Sequence, residues 1–95
     1  MSSFLTTLDA LINQRKQANP SESYTSDLIN SGADRILRKV GEEAGEFIIA
    51  GKNKNATEIC NEGADLLFHL MVFLQSEGLS IHDVIQVLED RHKQS

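Results

Sequence analysis

Residues 33–76 read ADRILRKVGEEAGEFIIAGKNKNATEICNEGADLLFHLMVFLQS, and the fold is decided there. In the first half, Ile36, Leu37, Val40, Ala44, Phe47 and Ile48 fall on one stripe at about 100° per residue, which predicts a helix over 33–51. In the second half the apolar residues encircle the axis: Leu66, Leu67, Phe68, Leu70, Met71, Val72, Phe73 and Leu74, interrupted by His69. That pattern predicts a helix over 56–76 that must be covered on every side. Between them, Gly51-Lys52-Asn53-Lys54-Asn55 is a short polar break holding a glycine suited to a C-cap. Such a break folds two helices back on one another as an antiparallel pair. Gly41 and Gly45 each cost about 1 kcal/mol relative to alanine in a helix interior. They are therefore expected to admit a neighbouring helix or a substrate.

Outward from this pair the chain stays helical. Phe4, Leu5, Leu8, Leu11 and Ile12 recur at helical spacing and predict a helix over 3–18, stopped by Asn19-Pro20-Ser21. Residues 21–31 are polar apart from Tyr24, Leu28 and Ile29, and read as an ordered connector with one short helical turn. Past Gly78, Ser80 is an N-cap and Asp83 takes the acidic capping-box position. In the helix that follows, Ile81, Val84, Ile85 and Leu88 are expected to form a buried stripe. No stretch has convincing strand periodicity. The expected fold is all-α: one domain over 1–95, with four to five helices around a central antiparallel pair. So short a chain has few helices to cover 66–74, so homodimerisation is expected to complete the bundle.

Composition narrows the function classes. Apolar residues make up 40% of the 95, enough for a core, and with aromatics sparse and no Trp that core must be mainly aliphatic. The apolar run 66–74 is far too short to span a bilayer, and no cationic start followed by an apolar core reads as a secretion signal. Cys60 is the only cysteine, so it forms no internal disulfide and fits a reducing cytoplasm. It reads as a buried small hydrophobe. A formal charge of −5 argues against a nucleic-acid partner, which needs a basic face. An acidic protein can still bind a polyphosphate when cations intervene.

The residue spacing supplies such a cation site. Glu43 and Glu46 are three apart on one helix of the pair, Glu62 and Asp65 three apart on the other, and i,i+3 residues share a face. Folding at the break puts the two pairs at matched heights, facing one another. Four converging acids repel unless a cation neutralises them. An all-oxygen donor set suits Mg²⁺, Mn²⁺ or Ca²⁺; Mg²⁺ shares its sphere with phosphate oxygens and so reconciles an acidic pocket with an anionic substrate. Glu58, Glu62, Asp65 and His69 form one narrow polar stripe. His69 reads either as a satisfied core histidine or as a group supporting the site and its substrate. Lys39, one turn before Glu43 with Arg35 and Arg38 nearby, is either an ordinary i,i+4 partner or a phosphate contact.

Three blocks then resemble a known family: Lys39-Val40-Gly41-Glu42-Glu43-Ala44-Gly45-Glu46, Ala50-Gly51-Lys52-Asn53, and Glu62-Gly63-Ala64-Asp65-Leu66-Leu67-Phe68-His69. With Tyr24-Thr25-Ser26-Asp27-Leu28 upstream and Leu88-Glu89-Asp90-Arg91-His92 downstream, the chain resembles phosphoribosyl-ATP pyrophosphatase, an all-α nucleotide pyrophosphohydrolase family. Gly45 stands where a larger residue is common. The resemblance implies hydrolysis of the α–β phosphoanhydride of phosphoribosyl-ATP to phosphoribosyl-AMP and pyrophosphate, the second step of histidine biosynthesis. It carries over Glu43, Glu46, Glu62 and Asp65 as Mg²⁺ ligands, with Mn²⁺ as a substitute. It implies that Glu42 holds a second metal or orients water, and that Glu42 or Glu46 is the candidate to take the water's proton, with Glu43 beside them. Tyr24, Lys39, Lys52, His69 and Arg91 are the substrate-binding candidates. A cyclohydrolase activity often fused to this one has neither room nor a Cys/His zinc cluster here, so a single step is expected. Two rival readings stay open: another nucleoside triphosphate as substrate, and a non-catalytic helical dimerisation module. A di-iron bundle needs two Glu-x-x-His motifs from core helices; the sole instance, Glu89 to His92, lies near the chain end.

Overall fold

A computed structural model describes residues 3–94. The helices are α1 (Ser3–Arg15), α2 (Tyr24–Asn30), α3 (Ala33–Asn53), α4 (Ala56–Ser76) and α5 (Ile81–Gln94), with a single 3-10 turn at Pro20–Glu22. The described residues contain no strand. No described helix is long and apolar enough to cross a membrane.

The pair α3 and α4 forms the expected antiparallel hairpin, but its turn is tighter than the sequence reading. Gly51 does not end α3. The helix runs on to Asn53, and Lys54 takes the left-handed conformation (φ 55°, ψ 32°), its N–H donating to the Gly51 carbonyl at 3.1 Å. Asn55 then caps α4, its Oδ1 accepting from Glu58 N–H at 3.0 Å. Asn55 is the stronger signal because an N-cap side chain satisfies a backbone donor that nothing else reaches. Once it fixes the start of α4, Lys54 and Asn55 alone leave helical space, Asn55 being extended at φ −90°, ψ 107°.

At the other end of the chain the expected helix over 3–18 stops at Arg15. The next three residues close i→i−3 bonds, Lys16 N–H to Asn13 O, Gln17 N–H to Gln14 O and Ala18 N–H to Arg15 O. The last turn is thus tightened, as helix ends commonly are. The connector holds more structure than one turn. Ser23 caps α2 by accepting from Ser26 N–H, and the buried Ser26 hydroxyl donates to the Ala18 carbonyl at 2.6 Å. That bond ties the start of α2 to the end of α1.

The core lies where the apolar half of α4 meets the other helices. Met71 and Val72 pack with Ile12 of α1, Leu28 of α2, Ile36 of α3 and Ile81 of α5, and Phe68, Phe73 and Leu74 of α4 flank them. Inside this apolar region Asp9 is buried with both carboxylate oxygens engaged, accepting from Gln75 Nε2 and Ser80 Oγ at 2.9 Å each. Three elements meet at that carboxylate.

Ser80 caps α5 by accepting from His82 N–H, while Asp83 Oδ2 accepts from Ser80 N–H, the reciprocal pair expected of a capping box. The α5 stripe, however, is only partly buried: Ile81 is buried and Ile85 half-buried, but Val84 and Leu88 are exposed, as are Leu67 and Leu70 of α4. Cys60, expected inside, is also exposed.

Candidate metal centre

The turn at Lys54 sets the register of the two acidic pairs. At 1.5 Å per residue, Glu46 lies about 10 Å from the end of α3 and Glu62 about 9 Å from the start of α4. Glu43 and Asp65 lie about one turn further along. The two-residue lengthening of α3 leaves the pairs level. A close approach keeps them near: a Cβ on Gly63 would sit 3.4 Å from Phe47 Cε1. Gly63 is thus the glycine that admits a neighbour. Nothing described lies within 4 Å of a Cβ built at Gly41 or Gly45, so no helix of this chain packs closely against those two.

Glu43, Glu62 and Asp65 bring one carboxylate oxygen each within 4.8 Å of one another. Glu43 is 7% exposed, Glu62 half-buried, Asp65 exposed. Glu46 stands outside that trio, yet its negative charge raises the proton affinity of both Glu43 and Glu62. Glu43 Oε2 and Glu62 Oε2 are buried with no hydrogen-bond partner among the described residues. The neighbouring Glu46 carboxylate raises the proton affinity of Glu62, burial and the charges of Asp65 and Glu43 add to it, and its pKa is pushed up to about 7. Burial first, then Glu46, pushes Glu43 upward too. Two orphaned oxygens amid converging negative charge fit a hard cation, since orphaned buried acceptors are otherwise rare.

Around this cluster the other candidates divide. Lys39 Nζ lies 3.4 Å from Glu42 Oε1 and 3.9 Å from Glu43 Oε1, and the Glu42 carboxylate holds its ammonium above the ordinary lysine range. Glu42 is therefore turned to Lys39, on the flank of the trio. His69, 6% exposed, sits with Nδ1 2.7 Å from the Asp65 carbonyl oxygen and Nε2 3.0 Å from the Tyr24 hydroxyl. Tyr24, the first residue of α2, is 50% exposed. Toward the hairpin turn a cleft of about 490 Å³ opens, lined by Glu46, Ile49, Ala50, Asn53, Asn55, Glu58 and Glu62. Its size falls within the ordinary range for small-ligand pockets. Lys52 is exposed and does not line that cleft; Arg91 is exposed near the end of α5 and joins neither cleft nor cluster.

Sequence reasoning missed Asn53 and Asn55 as cleft residues. The N-cap preference of asparagine was the available signal for Asn55; nothing in the spacing marks Asn53. It also missed the Tyr24–His69 bond, which joins residues 45 apart.

Comparison with known proteins bears on the same residues. The family model described as "Phosphoribosyl-ATP pyrophosphohydrolase" matches residues 5–92. The chain is 49% identical over 89 residues to a phosphoribosyl-ATP pyrophosphatase of Leptospira biflexa, covering 94% of this chain and 97% of that one. To the phosphoribosyl-ATP pyrophosphatase of Neisseria meningitidis serogroup B it is 47% identical, covering 94% of this chain and 83% of that one. Against the histidine biosynthesis bifunctional protein HisIE of Bacillus subtilis it is 46% identical, over 92% of this chain but only 42% of that protein. A match this long, taking in both acidic pairs and the hairpin between them, means that the chain belongs to the phosphoribosyl-ATP pyrophosphohydrolase family.

Proposed function

We propose that this chain hydrolyses the α–β phosphoanhydride of phosphoribosyl-ATP, giving phosphoribosyl-AMP and pyrophosphate in the second step of histidine biosynthesis. Family membership supports the substrate. The observation that carries the chemistry is the pair of buried, unpartnered oxygens on Glu43 and Glu62. Glu43, Glu46, Glu62 and Asp65 are the residues that would hold Mg²⁺, with Mn²⁺ as a substitute. When bound, Mg²⁺ neutralises the acids and polarises phosphoryl oxygens.

The protein's own groups supply the rest. Hydrolysis breaks the bridging P–O bond, adds the hydroxyl of a water to phosphorus, and releases that water's other proton. Glu46 is our choice for the acceptor, because it is exposed, borders the cleft and lies outside the three-oxygen group, so that one of its oxygens can meet the metal while the other faces the water. Glu42 is the second choice; its carboxylate is engaged by Lys39. Lys39 is the cation nearest the cluster and the first candidate for a phosphate contact. Exposed Ile48, Ile49, Leu67, Leu70 and Val84 support a homodimer that covers them, in a reducing cytoplasm where Cys60 stays a free thiol.

The test is pyrophosphate release from phosphoribosyl-ATP with Mg²⁺, with and without chelator, beside a panel of other nucleoside triphosphates. Release that needs the metal and is fastest for phosphoribosyl-ATP is expected. No metal-dependent release by folded protein would remove the proposal, and preference for another triphosphate would move it to that substrate.

A further inference from the structure

The cleft beside the acidic cluster has a charge pattern of its own. Buried Ala50 and its neighbour Ile49 give it an apolar surface, and three of its seven lining residues are glutamates. Among the described residues no lysine, arginine or histidine lines it. Glu46 and Glu62 belong to the four acids that would hold the metal and would share its charge. Glu58 does not. Its carboxylate enters none of the salt bridges or side-chain hydrogen bonds among the described residues; only its backbone N–H is engaged, by Asn55 Oδ1. The N-terminus of α4 offsets about half a unit of that negative charge. With the cluster neutralised, Glu58 is the cleft carboxylate that keeps an uncompensated charge.

Its position fixes what that charge can meet. Glu58 lies four residues before Glu62 on α4, about 6 Å toward the hairpin turn. Lys39 lies four residues before Glu43 on α3, about 6 Å away from the turn. Because α3 and α4 run antiparallel, a cation and an anion flank the cluster at opposite ends. Outer phosphates find their cation at Lys39. The cleft repels phosphate and suits the nucleoside, whose flat ring can lie on Ile49 and Ala50.

The proposed substrate differs from ATP in that part of the molecule. A sugar on N1 makes adenine a far stronger base, and the protonated ring is an amidinium with its charge spread over N1, C6 and the 6-amino nitrogen. A charged N–H donor facing a carboxylate forms a bond that a neutral adenine cannot match.

We infer that Glu58 is a specificity residue: it pairs with the amidinium of an N1-substituted adenine seated in the cleft, and so favours such a nucleotide over one with a neutral base. The placement of the phosphates rests on the proposed function; one arm of the test does not.

That arm measures binding alone. 1-Methyladenosine carries the cationic ring with no phosphate, and adenosine carries the neutral one. Each is titrated at pH 7 into protein holding Mg²⁺, so that the cluster itself does not draw the cation. 1-Methyladenosine should move the side-chain amide signals of Asn53 and Asn55 and bind about tenfold tighter than adenosine, the lower end for a hydrogen bond between charged groups. Glu58→Gln should bring the two nucleosides within about twofold. Glu89→Gln removes an equal charge from an exposed position on α5 and should keep the preference. Equal binding to the wild type, signals moving only outside the cleft, a preference that survives Glu58→Gln, or one lost equally in Glu89→Gln would overturn the inference. The second arm is kinetic. Glu58→Gln should raise the KM for phosphoribosyl-ATP about tenfold with kcat within about twofold; an unchanged KM, or a loss confined to kcat, would overturn it. If the wild type releases no pyrophosphate while the nucleosides behave as expected, the functional reading falls and the role of Glu58 in the cleft stands.

Discussion

Phe47 of α3 rests against Gly63 of α4 so closely that a Cβ on the glycine would meet the ring at 3.4 Å. This approach holds the two acidic pairs level and near. Gly63→Ala adds one carbon at ordinary contact distance and gains about 1 kcal/mol of helix propensity, so stability should hold or rise slightly. Gly63→Leu would displace the Phe47 ring and disturb the packing of α3 on α4. We expect it to keep its helix content by circular dichroism while Mg²⁺ binding, followed by calorimetry, weakens about tenfold or more. Undiminished Mg²⁺ binding in the leucine variant would show that helix spacing does not set the site.

The Glu62 carboxyl gives the metal-free protein a pH signature. Its pKa rises from 4.5 to about 7 in the folded chain, so the folded state keeps a proton that the unfolded state has lost. Stability therefore declines as pH rises from about 4.5 through about 7 and levels off above. Glu43, also shifted upward, acts in the same direction. Thermal melts in chelator should show wild type losing more Tm between pH 5 and pH 8 than Glu62→Gln does. Added Mg²⁺ should erase most of the difference at pH 8, where it replaces the missing proton. Parallel pH profiles for the two proteins would refute the shift.

Neutralising the acids separates an enzyme from a dimerisation module. Glu46→Gln and Asp65→Asn should each lower kcat/KM by more than the roughly 10–100-fold seen for losing an outer-shell partner of a metal ligand. The metal-free Tm should stay level or rise, since each change removes a repelling charge. Full activity in both variants would return the acids to the role of solvated surface.

Asp9 serves stability and not the site. Asp9→Ala strips the buried Gln75 amide and the Ser80 hydroxyl of their acceptor, and each unsatisfied group costs about 1–3 kcal/mol. Denaturant melts should record a loss of that order, with kcat per folded molecule unchanged at low temperature.

What was legible in the sequence follows from which forces act locally. The bounds of α4, Ala56–Ser76, were readable because its apolar run is long and a polar break precedes it. The facing of Glu43 and Glu46 toward Glu62 and Asp65 was readable because i,i+3 spacing survives a small error in the turn. The turn itself was misplaced because a glycine after a helical stripe usually marks a C-cap; Gly51 gave way to Asn55, whose side chain does the capping. The helix α2 was read as a single turn because its apolar content is slight; its anchor is the Ser26 hydroxyl on a carbonyl eight residues back. Gly63 and the Tyr24–His69 bond depend on which atoms meet across helices, and no local pattern encodes that. The α5 stripe was legible as apolar, but its exposed Val84 and Leu88 depend on what covers them.

The most direct measurement is anomalous diffraction from crystals soaked in Mn²⁺. The account predicts anomalous density at bonding distance from carboxylate oxygens of Glu43, Glu46, Glu62 and Asp65. Density elsewhere, or none while those four side chains diverge into separate solvent regions, would contradict it.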